Sequence, residues 1–257
     1  MMKQVLSRAA YRVAPRVVQD VYLHVKMNRQ AKRLSAMRQA VGASQLWLDA
    51  LWQSYFFRPL QKRSEVWRLV ELLTARRPAT ICEIGAAGGG TTFLLAHAAA
   101  REATLVSLDL AFTPARKAAI RQFASKGQQI ICMQADSHSL ATVRAVNDRL
   151  RGRGLDVLYL DGDHSYEGIA TDFKLYSPLV KPGGLIVCHD IVPDYRTRYG
   201  IETASNVGGV PQFWAELKAA HTTVEELVED YAQDGFGIGV LHWQKDRVNV
   251  NHDCEVD

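Results

Sequence analysis

The sequence predicts an α/β fold, in which a mostly parallel, doubly wound sheet of seven strands carries an N-terminal helical extension. Three observations lead to this prediction. From residue 78 onward, short apolar runs alternate with segments of helical pattern, which is typical of parallel strands covered by helices on both faces. A glycine-rich turn follows the first of these runs. Two later runs break into acidic and imidazole side chains, as buried strands do where they meet a site.

The elements follow in order along the chain. Helices are expected in the extension and its junction at residues 16–39, 44–57 and 62–76. The strands are predicted at residues 79–83, 104–109, 129–133, 156–160, 185–188, 224–228 and 236–241. The helices between them are predicted at residues 90–101, 114–125, 139–150, 166–180 and 210–220. The chain thus divides into a basic and aromatic extension over residues 1–60, a main domain over residues 61–244 and a polar tail over residues 245–257.

The composition is that of a globular protein with a full core. Of the 257 residues, 47% are hydrophobic, which excludes a disordered chain. Cys82, Cys132 and Cys188 lie within apolar runs, so we expect small buried side chains rather than disulfides, which favours a reducing compartment. No apolar run approaches the length of about 18 residues that a membrane span needs, and residues 1–20 lack the apolar centre of a secretory signal. These features predict a soluble, cytoplasmic protein.

The first 40 residues differ from the rest of the chain in charge. They carry nine Lys or Arg residues against a single acid, Asp20, so this basic arm has a net charge of +8 and the remainder has −4. A basic helical arm can lie against the anionic inner face of a membrane, bind nucleic acid, or pack on a partner such as a second copy of the chain. The alternative is a solvated helix face.

The glycine turn after the first strand predicts a cofactor site. It begins at Glu83 and opens a helix, so its backbone amides can face a ligand. A nicotinamide dinucleotide site would have glycine in place of Ala87, and the Glu83 carboxylate would repel a pyrophosphate. The same carboxylate can accept hydrogen bonds from the ammonium of an amino acid and tolerates a sulfonium, which favours S-adenosylmethionine. The candidate cofactor-binding residues of the turn are Glu83, Gly85, Ala86, Gly88 and Thr91.

Two further acids follow the next two strands and are candidate cofactor contacts. Asp109 ends the second strand, where a carboxylate can bind both ribose hydroxyls of a nucleoside. Asp136 follows the third strand, where the adenine would lie. Either acid could instead cap a helix or face solvent.

The fourth and fifth strands end in side chains suited to chemistry. Asp161 follows the fourth strand, and His189 and Asp190 follow the core of the fifth. Because the carboxyl ends of neighbouring parallel strands meet at one edge of a sheet, we expect a joint site whose oxygen and imidazole donors could hold a divalent cation. Asp163 and His164 remain as candidate catalytic residues, since each can accept a proton.

Four segments of the main domain form a specific combination. They are the turn from Glu83, the run Asp-Gly-Asp-His-Ser-Tyr-Glu-Gly from Asp161, the run Leu-Val-Lys-Pro-Gly-Gly-Leu-Ile from Leu179, and His189-Asp190-Ile191. Together they resemble the class I S-adenosylmethionine-dependent methyltransferases, most closely the bacterial branch of macrolide and sugar O-methyltransferases and cephalosporin hydroxylase-like proteins. The resemblance covers residues 62–242. It implies a Rossmann-like fold and methylation of a hydroxyl on a sugar or another small molecule.

The resemblance also implies a metal site. In the metal-dependent members, an acid after strand four and two consecutive residues after strand five bind Mg²⁺; here these are Asp161, also a candidate cofactor contact, with His189 and Asp190. Imidazole is a poor ligand for Mg²⁺, so His189 favours a softer ion such as Mn²⁺ or Fe²⁺, or no metal. Asp163 occupies the place of the general base in related sugar enzymes, whereas His164 has the more suitable ordinary pKa, about 6.5. Alternatively, Asp163 caps the following helix and His164 only packs.

Other functions remain as alternatives. A nucleic-acid methyltransferase would suit the basic arm, but enzymes that methylate exocyclic amines carry Asn or Asp, two prolines and an aromatic after strand four, where this chain has Asp161-Gly-Asp-His. A non-catalytic protein that keeps the cofactor fold within a biosynthetic complex is the second alternative. A nicotinamide oxidoreductase is opposed by the glycine turn. The loop over residues 190–207, rich in Tyr and Arg, is expected to be a lid or a surface loop above the site.

Overall fold

The computed structural model of the protein describes residues 16–41 and 46–244. Within these residues one sheet contains β1 (Thr80–Ile84), β2 (Thr104–Asp109), β3 (Gln129–Gln134), β4 (Leu155–Leu160), β5 (Val180–His189), β6 (Val224–Leu227) and β7 (Ile238–His242). The strand order is β3-β2-β1-β4-β5-β7-β6. The first five strands are parallel, and β7 runs antiparallel to both β5 and β6. The predicted fold class, α/β with a doubly wound and mostly parallel sheet, is confirmed.

Helices cover both faces of the sheet. In chain order they are α1 (Arg16–Val41), α2 (Leu46–Trp52), α3 (Arg63–Arg76), α4 (Gly90–Ala98), α5 (Pro114–Ile120), α6 (Leu140–Arg149), α7 (Tyr166–Tyr176), α8 (Tyr195–Tyr199) and α9 (Val210–Ala220), with 3₁₀ turns at Arg121–Phe123 and Ser177–Leu179. Side chains of α1 to α5 form the apolar layer on one face of the sheet. Side chains of α6, α7 and α9 form the layer on the other.

Three elements differ most from their predicted bounds, by five residues at one end. β5 begins at Val180, earlier than predicted, because Val180 pairs with Leu155 in β4 and the Gly183 N–H donates to the Trp243 carbonyl oxygen (2.8 Å). The glycines at this point resemble a turn in the sequence. The helix predicted over residues 114–125 ends as α5 and continues as a 3₁₀ turn. The helix predicted over residues 44–57 ends at Trp52, and its first two residues lie outside the described residues.

The parallel register sets the strand ends side by side. Ile84, at the end of β1, is level with Leu108 in β2 and with Leu160 in β4. Leu160 is in turn level with Cys188 in β5. Both faces of β1 and β4 are covered and nearly every residue in them is buried, which explains why their sequences are mostly apolar. The residues that follow these strands therefore meet at one edge of the sheet.

The N-terminal helix α1 packs on the main domain. Ala31 and Leu34 are buried, and Arg38 is only 4% exposed. The Arg38 guanidinium donates to the Phe123 carbonyl oxygen (2.6 Å) and to Ser125 Oγ (2.8 Å). Burial lowers the pKa of Arg38 to about 10. Arg38 therefore holds α1 on the domain and is not available to an external anionic partner.

Other basic residues of α1 face outward. Lys26, Arg29, Lys32 and Arg33 are exposed. No helix in the described part of the chain is both long and apolar enough to cross a membrane. Contact of this face with a membrane surface, nucleic acid or a second copy stays a prediction, as does the domain boundary after residue 60. The first 15 residues and the predicted polar tail lie outside the described residues.

A buried carboxylate ties α3 to the segment between β6 and β7. Glu65 is 1% exposed. Its Oε1 accepts hydrogen bonds from the Glu229 N–H (3.1 Å) and the Gln233 side-chain amide (2.7 Å), and its Oε2 accepts one from the Gly237 N–H (2.9 Å). One side chain thus orders a long connection at the edge of the sheet.

Replacement of Glu65 by alanine is expected to lower the free energy of unfolding by about 3 kcal/mol, because it leaves three donors without their acceptor. Glu71→Ala on the same helix is the matched control. Glu71 accepts an exposed bond from Trp67, so its loss should cost less than about 1 kcal/mol. Urea denaturation of both variants measures the difference, and equal losses would contradict the role assigned to Glu65.

Candidate active site

A cleft of about 490 Å³ opens at the carboxyl ends of β1 to β4. It is lined by residues at or just beyond the ends of these strands: Ile84, Gly85, Ala87, Leu108, Asp109, Leu110, Ala135, Asp136, Ser137, His138, Asp161, Gly162 and Asp163. Small-molecule sites typically measure about 300–1,000 Å³. In open α/β sheets, ligands bind at this edge, where the strand order reverses between β1 and β4. The cleft thereby unites the predicted residues Gly85, Asp109, Asp136, Asp161 and Asp163.

Gly85 marks the point where the ends of β1 and β4 touch. It has a φ of +86°, which favours glycine, and a Cβ there would lie 1.8 Å from the carbonyl oxygen of Asp161. The Asp161 N–H donates to the Ile84 carbonyl oxygen (2.9 Å). Ala87, where a dinucleotide motif has glycine, also has a positive φ (43°) and lines the cleft. The turn is thus shaped by Asp161 on one side and open to a ligand on the other.

The remainder of the turn faces the N-terminal segment. A Cβ on Gly88 would lie 3.0 Å from the carbonyl oxygen of Phe56. Ala86 is buried and Thr91 is half-buried, and the lining of the cleft contains neither of them nor Gly88. Gly88 therefore admits the segment after α2, a packing role that the sequence pattern did not indicate. Cofactor contact by these three residues stays a prediction.

Glu83 lies beneath the turn and is fully buried in β1. Its Oε2 accepts hydrogen bonds from Thr92 Oγ1 (2.5 Å) and Ser107 Oγ (2.6 Å), whereas Oε1 has no hydrogen-bond partner among the described residues. Burial raises the pKa of Glu83 to about 7, although the two hydroxyl groups oppose this. A buried carboxylate with one unpaired oxygen is suited to a cationic or hydrogen-bond-donating group of a ligand.

Asp109 and Asp136 both line the cleft. Asp109 Oδ2 accepts from the Ala87 N–H (2.7 Å), and its Oδ1 accepts from the Ala111 N–H (2.7 Å). Asp136 Oδ1 accepts from the His138 N–H (2.9 Å). A carboxylate has more acceptor sites than these bonds use, so both acids can also accept from a ligand.

A second group of polar side chains adjoins the cleft at the ends of β4 and β5. Asp161, His164 and Asp190 each offer one ligand atom within 4.8 Å of the others, and we call these three residues the strand-end cluster. Asp161 Oδ1 lies 3.3 Å from His164 Nε2, and Asp190 Oδ2 lies 3.5 Å from His164 Nδ1. Asp161 belongs to both the cleft and the cluster, so a single carboxylate joins them.

His189, the predicted third ligand, is placed differently from His164. Its Nδ1 lies 3.1 Å from Asp161 Oδ1 and 3.4 Å from Asp190 Oδ1, but its side chain is 3% exposed and its Nε2 lacks a partner in the described part of the chain. The ring packs near Phe236, at 6.2 Å between ring centroids. His189 is the last residue of β5, and Asp190, which follows it, has a φ of +64°. Both imidazoles therefore contact Asp161 and Asp190, and the predicted role of His189 as a metal ligand stays a prediction.

The carboxylates and imidazoles of this site stabilise each other's charges. A hydrogen bond to Asp161 raises the pKa of His164 to about 9. Burial would lower the pKa of His189, but Asp161 and Asp190 raise it to about 9. Burial would raise the pKa of Asp161, but the charge of His189 and the bond from His164 hold it below its ordinary value. Burial raises the pKa of Asp190. The imidazoles thus supply the positive charge of the site.

The two candidate bases are already engaged by neighbouring groups. His164 Nδ1 lies 2.6 Å from the Asn206 carbonyl oxygen and its Nε2 lies near Asp161, so as an imidazolium it donates from both nitrogens. Asp163 is exposed and accepts from the Ser165 N–H (2.8 Å), which lowers the pKa of Asp163. Ser165 in turn is the N-cap of α7, so the alternative interpretation, in which this segment serves to begin the helix, also agrees with the structure. A catalytic role for either residue stays a prediction.

The sequence prediction missed two residues at the site. Gln61 is 8% exposed, and its amide nitrogen donates to Tyr159 Oη (2.5 Å) and lies 3.5 Å from Asp161 Oδ2. Tyr159 is fully buried in β4, and its hydroxyl within an apolar run was the available signal. Gln61 follows α2 in a segment without a motif, so no signal in the sequence indicated it.

A second cavity, of about 540 Å³, lies beside the strand-end cluster. It is lined by Lys62, Tyr195, Ala204, Ser205, Glu229, Asp230, Ala232, Gln233, Asp234 and Phe236. The ring of Phe236 connects it to His189. The loop predicted over residues 190–207 contains α8, which is capped by Asp194, and contributes one wall of this cavity.

Comparisons with known proteins indicate which class of protein this chain resembles. Residues 82–191 match a family model described as a methyltransferase domain. The 8-demethyl-8-(2,3-dimethoxy-alpha-L-rhamnosyl)-tetracenomycin-C 4'-O-methyltransferase of Streptomyces olivaceus is 34% identical over 80 residues, which are 28% of this chain and 30% of that protein. The chain spans between 9% and 30% of the length of the curated relatives that it matches.

Solved methyltransferases share the fold. The O-methyltransferase from Bacillus cereus in complex with SAH has a TM-score of 0.54 at 18% identity, covering 81% of this chain and 96% of that one. The O-methyltransferase TomG from Streptomyces achromogenes, in complex with SAM, has a TM-score of 0.54 at 16% identity, covering 82% and 87%. The family match and the shared fold confirm the predicted resemblance to the class I S-adenosylmethionine-dependent methyltransferases.

The raised pKa of Glu83 predicts a pH-dependent stability. A glutamate in the unfolded chain titrates near 4.5, whereas Glu83 in the folded chain titrates at about 7. The folded chain therefore binds more protons between these values, and its stability falls as the pH rises through them. Between about pH 5 and about pH 8, the free energy of unfolding of Glu83→Gln should fall by roughly 1–3 kcal/mol less than that of the wild type. Urea denaturation across this range measures it, with exposed Glu102→Gln as control; parallel curves for wild type and Glu83→Gln would contradict the assignment.

Proposed function

We propose that the chain transfers the methyl group of S-adenosylmethionine to a hydroxyl oxygen of a sugar or another small neutral or cationic molecule. The observation that supports this best is that Asp161 lines the cleft and also belongs to the strand-end cluster. In methyl transfer, the donor and the acceptor must lie in one line, so the protein groups that hold them must be close to each other. Asp161 meets this requirement because its carboxylate borders both places.

The residues of the cleft fit S-adenosylmethionine. Asp109 has acceptor sites for the ribose hydroxyls, and Asp136 borders the place expected for adenine. Glu83 lies beneath the cleft and does not line it, so contact of its unpaired Oε1 with the positively charged amino-acid end of this cofactor stays a prediction. Gly85 lines the cleft without a side chain, so the backbone can approach the ligand closely.

The strand-end cluster fits a divalent cation through the chemistry of its donors. Two carboxylates and one imidazole suit Mn²⁺ better than Mg²⁺, which prefers an all-oxygen shell. Asp161, His164 and Asp190 would hold such an ion, and His164 would bind it through a ring nitrogen that has released its proton. A cation bound there would lower the pKa of the acceptor hydroxyl and orient it.

The side chains of the cluster would orient and deprotonate the acceptor. The imidazoles of His164 and His189 keep Asp161 ionised, so Asp161 can accept a hydrogen bond from the hydroxyl. Burial raises the pKa of Asp190, which makes it a stronger base than an exposed aspartate. For the site without a bound cation, we therefore assign proton acceptance to Asp190, in preference to Asp163, whose pKa is lowered, and to His164, whose pKa is raised.

The second cavity supports a neutral or cationic acceptor. Its lining includes the acids Glu229, Asp230 and Asp234 against the single base Lys62, so it would repel an anion. Two aromatic side chains in the same lining suit the apolar faces of a sugar ring, and the carboxylates suit its hydroxyls. The similar protein from Streptomyces olivaceus is named as a 4'-O-methyltransferase of a rhamnosyl compound, which favours a sugar hydroxyl.

Calorimetric titration with S-adenosylhomocysteine and Mn²⁺, together with transfer of labelled methyl groups, tests the proposal. Asp190→Asn is the informative variant, because asparagine tolerates the positive φ of this position. It should keep its affinity for S-adenosylhomocysteine within about threefold, but lose Mn²⁺ binding and at least about 100-fold in methyl transfer. Asp148→Asn, at an exposed position of α6, should retain all three.

The acceptor class is tested in the same assay with methyl glycosides that are neutral, amino-substituted or carboxylate-bearing. Neutral and amino glycosides should be methylated, and uronic acids should not. A folded protein without affinity for S-adenosylhomocysteine would contradict the proposed function, and full activity of Asp190→Asn would contradict the role of the cluster.

A further inference from the structure

We propose that Asp172 is a positioning residue for the adenine end of the cleft, a role that rests on S-adenosylmethionine being the cofactor. Asp172 lies in α7 and is 1% exposed, and the lining of the cleft does not include it. It would act through Ser137 and His138, which do line the cleft.

The contacts of Asp172 are directed at the loop after β3. Its Oδ1 lies 3.6 Å from His138 Nε2, and within the described residues neither atom has a hydrogen-bond partner. Burial raises the pKa of Asp172 to about 6, against the opposing effect of a hydrogen bond with Ser137. Its Oδ2 would lie 3.3 Å from a Cβ placed on Gly162, another residue of the cleft. The Asp172 carboxylate therefore lies directly beneath the part of the cleft that Ser137, His138 and Gly162 line.

A second contact from the same face of α7 supports this role. Tyr176, one helical turn after Asp172, donates from its hydroxyl to the Ser137 carbonyl oxygen (3.0 Å). Residues four apart lie on one face of a helix, so α7 holds the loop at two points. Within the loop, Asp136 Oδ1 accepts from the His138 N–H (2.9 Å). The position of the loop is thus set by α7 as well as by β3.

Stability alone does not account for a carboxylate at this place. A buried acid is costly unless its charge is compensated, and apolar side chains of similar size are often at least as stabilising. Of the ionisable groups around Asp172, the acids Asp136 and Asp163 raise its pKa, and His138 lowers it. His138 Nε2 lies 3.6 Å from the Asp172 carboxylate, and His138 lines the cleft. The buried acid therefore lies next to a side chain that a bound ligand would contact.

The ligand group at this end of the cleft would be the adenine. A carboxylate at the end of β2, here Asp109, is the usual ribose contact, and the base of a bound nucleoside extends from there toward the loop after β3. A loop fixed by Asp172 presents Ser137 and His138 to the edge of the purine. We expect Asp172 to increase both the affinity for the cofactor and the selectivity for adenine.

Asp172→Asn keeps the size of the side chain and removes its charge. Calorimetry should show about tenfold weaker binding of S-adenosylhomocysteine to this variant. Binding of S-inosylhomocysteine, in which a carbonyl oxygen replaces the exocyclic amine, should change by less than about twofold. This loss of purine selectivity is a result that a merely structural role would not produce. Glu167→Gln, exposed on the same helix, is the matched control and should bind both ligands as the wild type does.

A double-mutant cycle with His138→Gln tests whether Asp172 acts through His138. The two losses in affinity should not add, so the double variant should bind within about twofold of the weaker single variant. If Asp172→Asn does not fold, His138→Gln alone must show the loss of purine selectivity. Unchanged selectivity, or equal weakening for both ligands, overturns the inference and leaves the proposed function intact. A folded wild type that does not bind S-adenosylhomocysteine overturns both.

Discussion

The contact between the ends of β1 and β4 is the constraint on which the site depends. Gly85 passes so close to Asp161 that a Cβ would lie 1.8 Å from the Asp161 carbonyl oxygen, and the Asp161 N–H is bonded to Ile84. This contact places the Asp161 side chain between the cleft and the strand-end cluster. A side chain at position 85 would push the two strand ends apart, and with them the two halves of the site.

The segment between α2 and α3 belongs to the site although it carries no motif. A Cβ on Gly90 would lie 2.4 Å from the Phe57 carbonyl oxygen, so the glycine turn and this segment fix each other's positions. Gln61 then reaches toward the Asp161 carboxylate, and the next residue, Lys62, lines the second cavity. The matched methyltransferase segment therefore contains only part of the site, and the predicted division after residue 60 falls directly before residues that line it.

The sequence predicted the strands and their terminal acids well, because both faces of a parallel sheet are buried and its strands are continuous apolar runs. Asp109 and Asp161 accordingly lie at the edge where they were expected. The sequence did not indicate that His164 and His189 both contact Asp161 and Asp190, since this depends on how the ends of β4 and β5 meet. The early start of β5 and the contribution of the segment before α3 depend on contacts that are distant in sequence, which no local pattern contains.

A crystal structure with S-adenosylhomocysteine bound would test most directly whether Asp161 joins a cofactor cleft to the reacting cluster. We expect the purine between Asp109 and the loop after β3, and the thioether sulfur on the side of Asp161. A ligand bound in the second cavity beside Tyr195 and Phe236, or a sulfur directed away from Asp161, would contradict this arrangement.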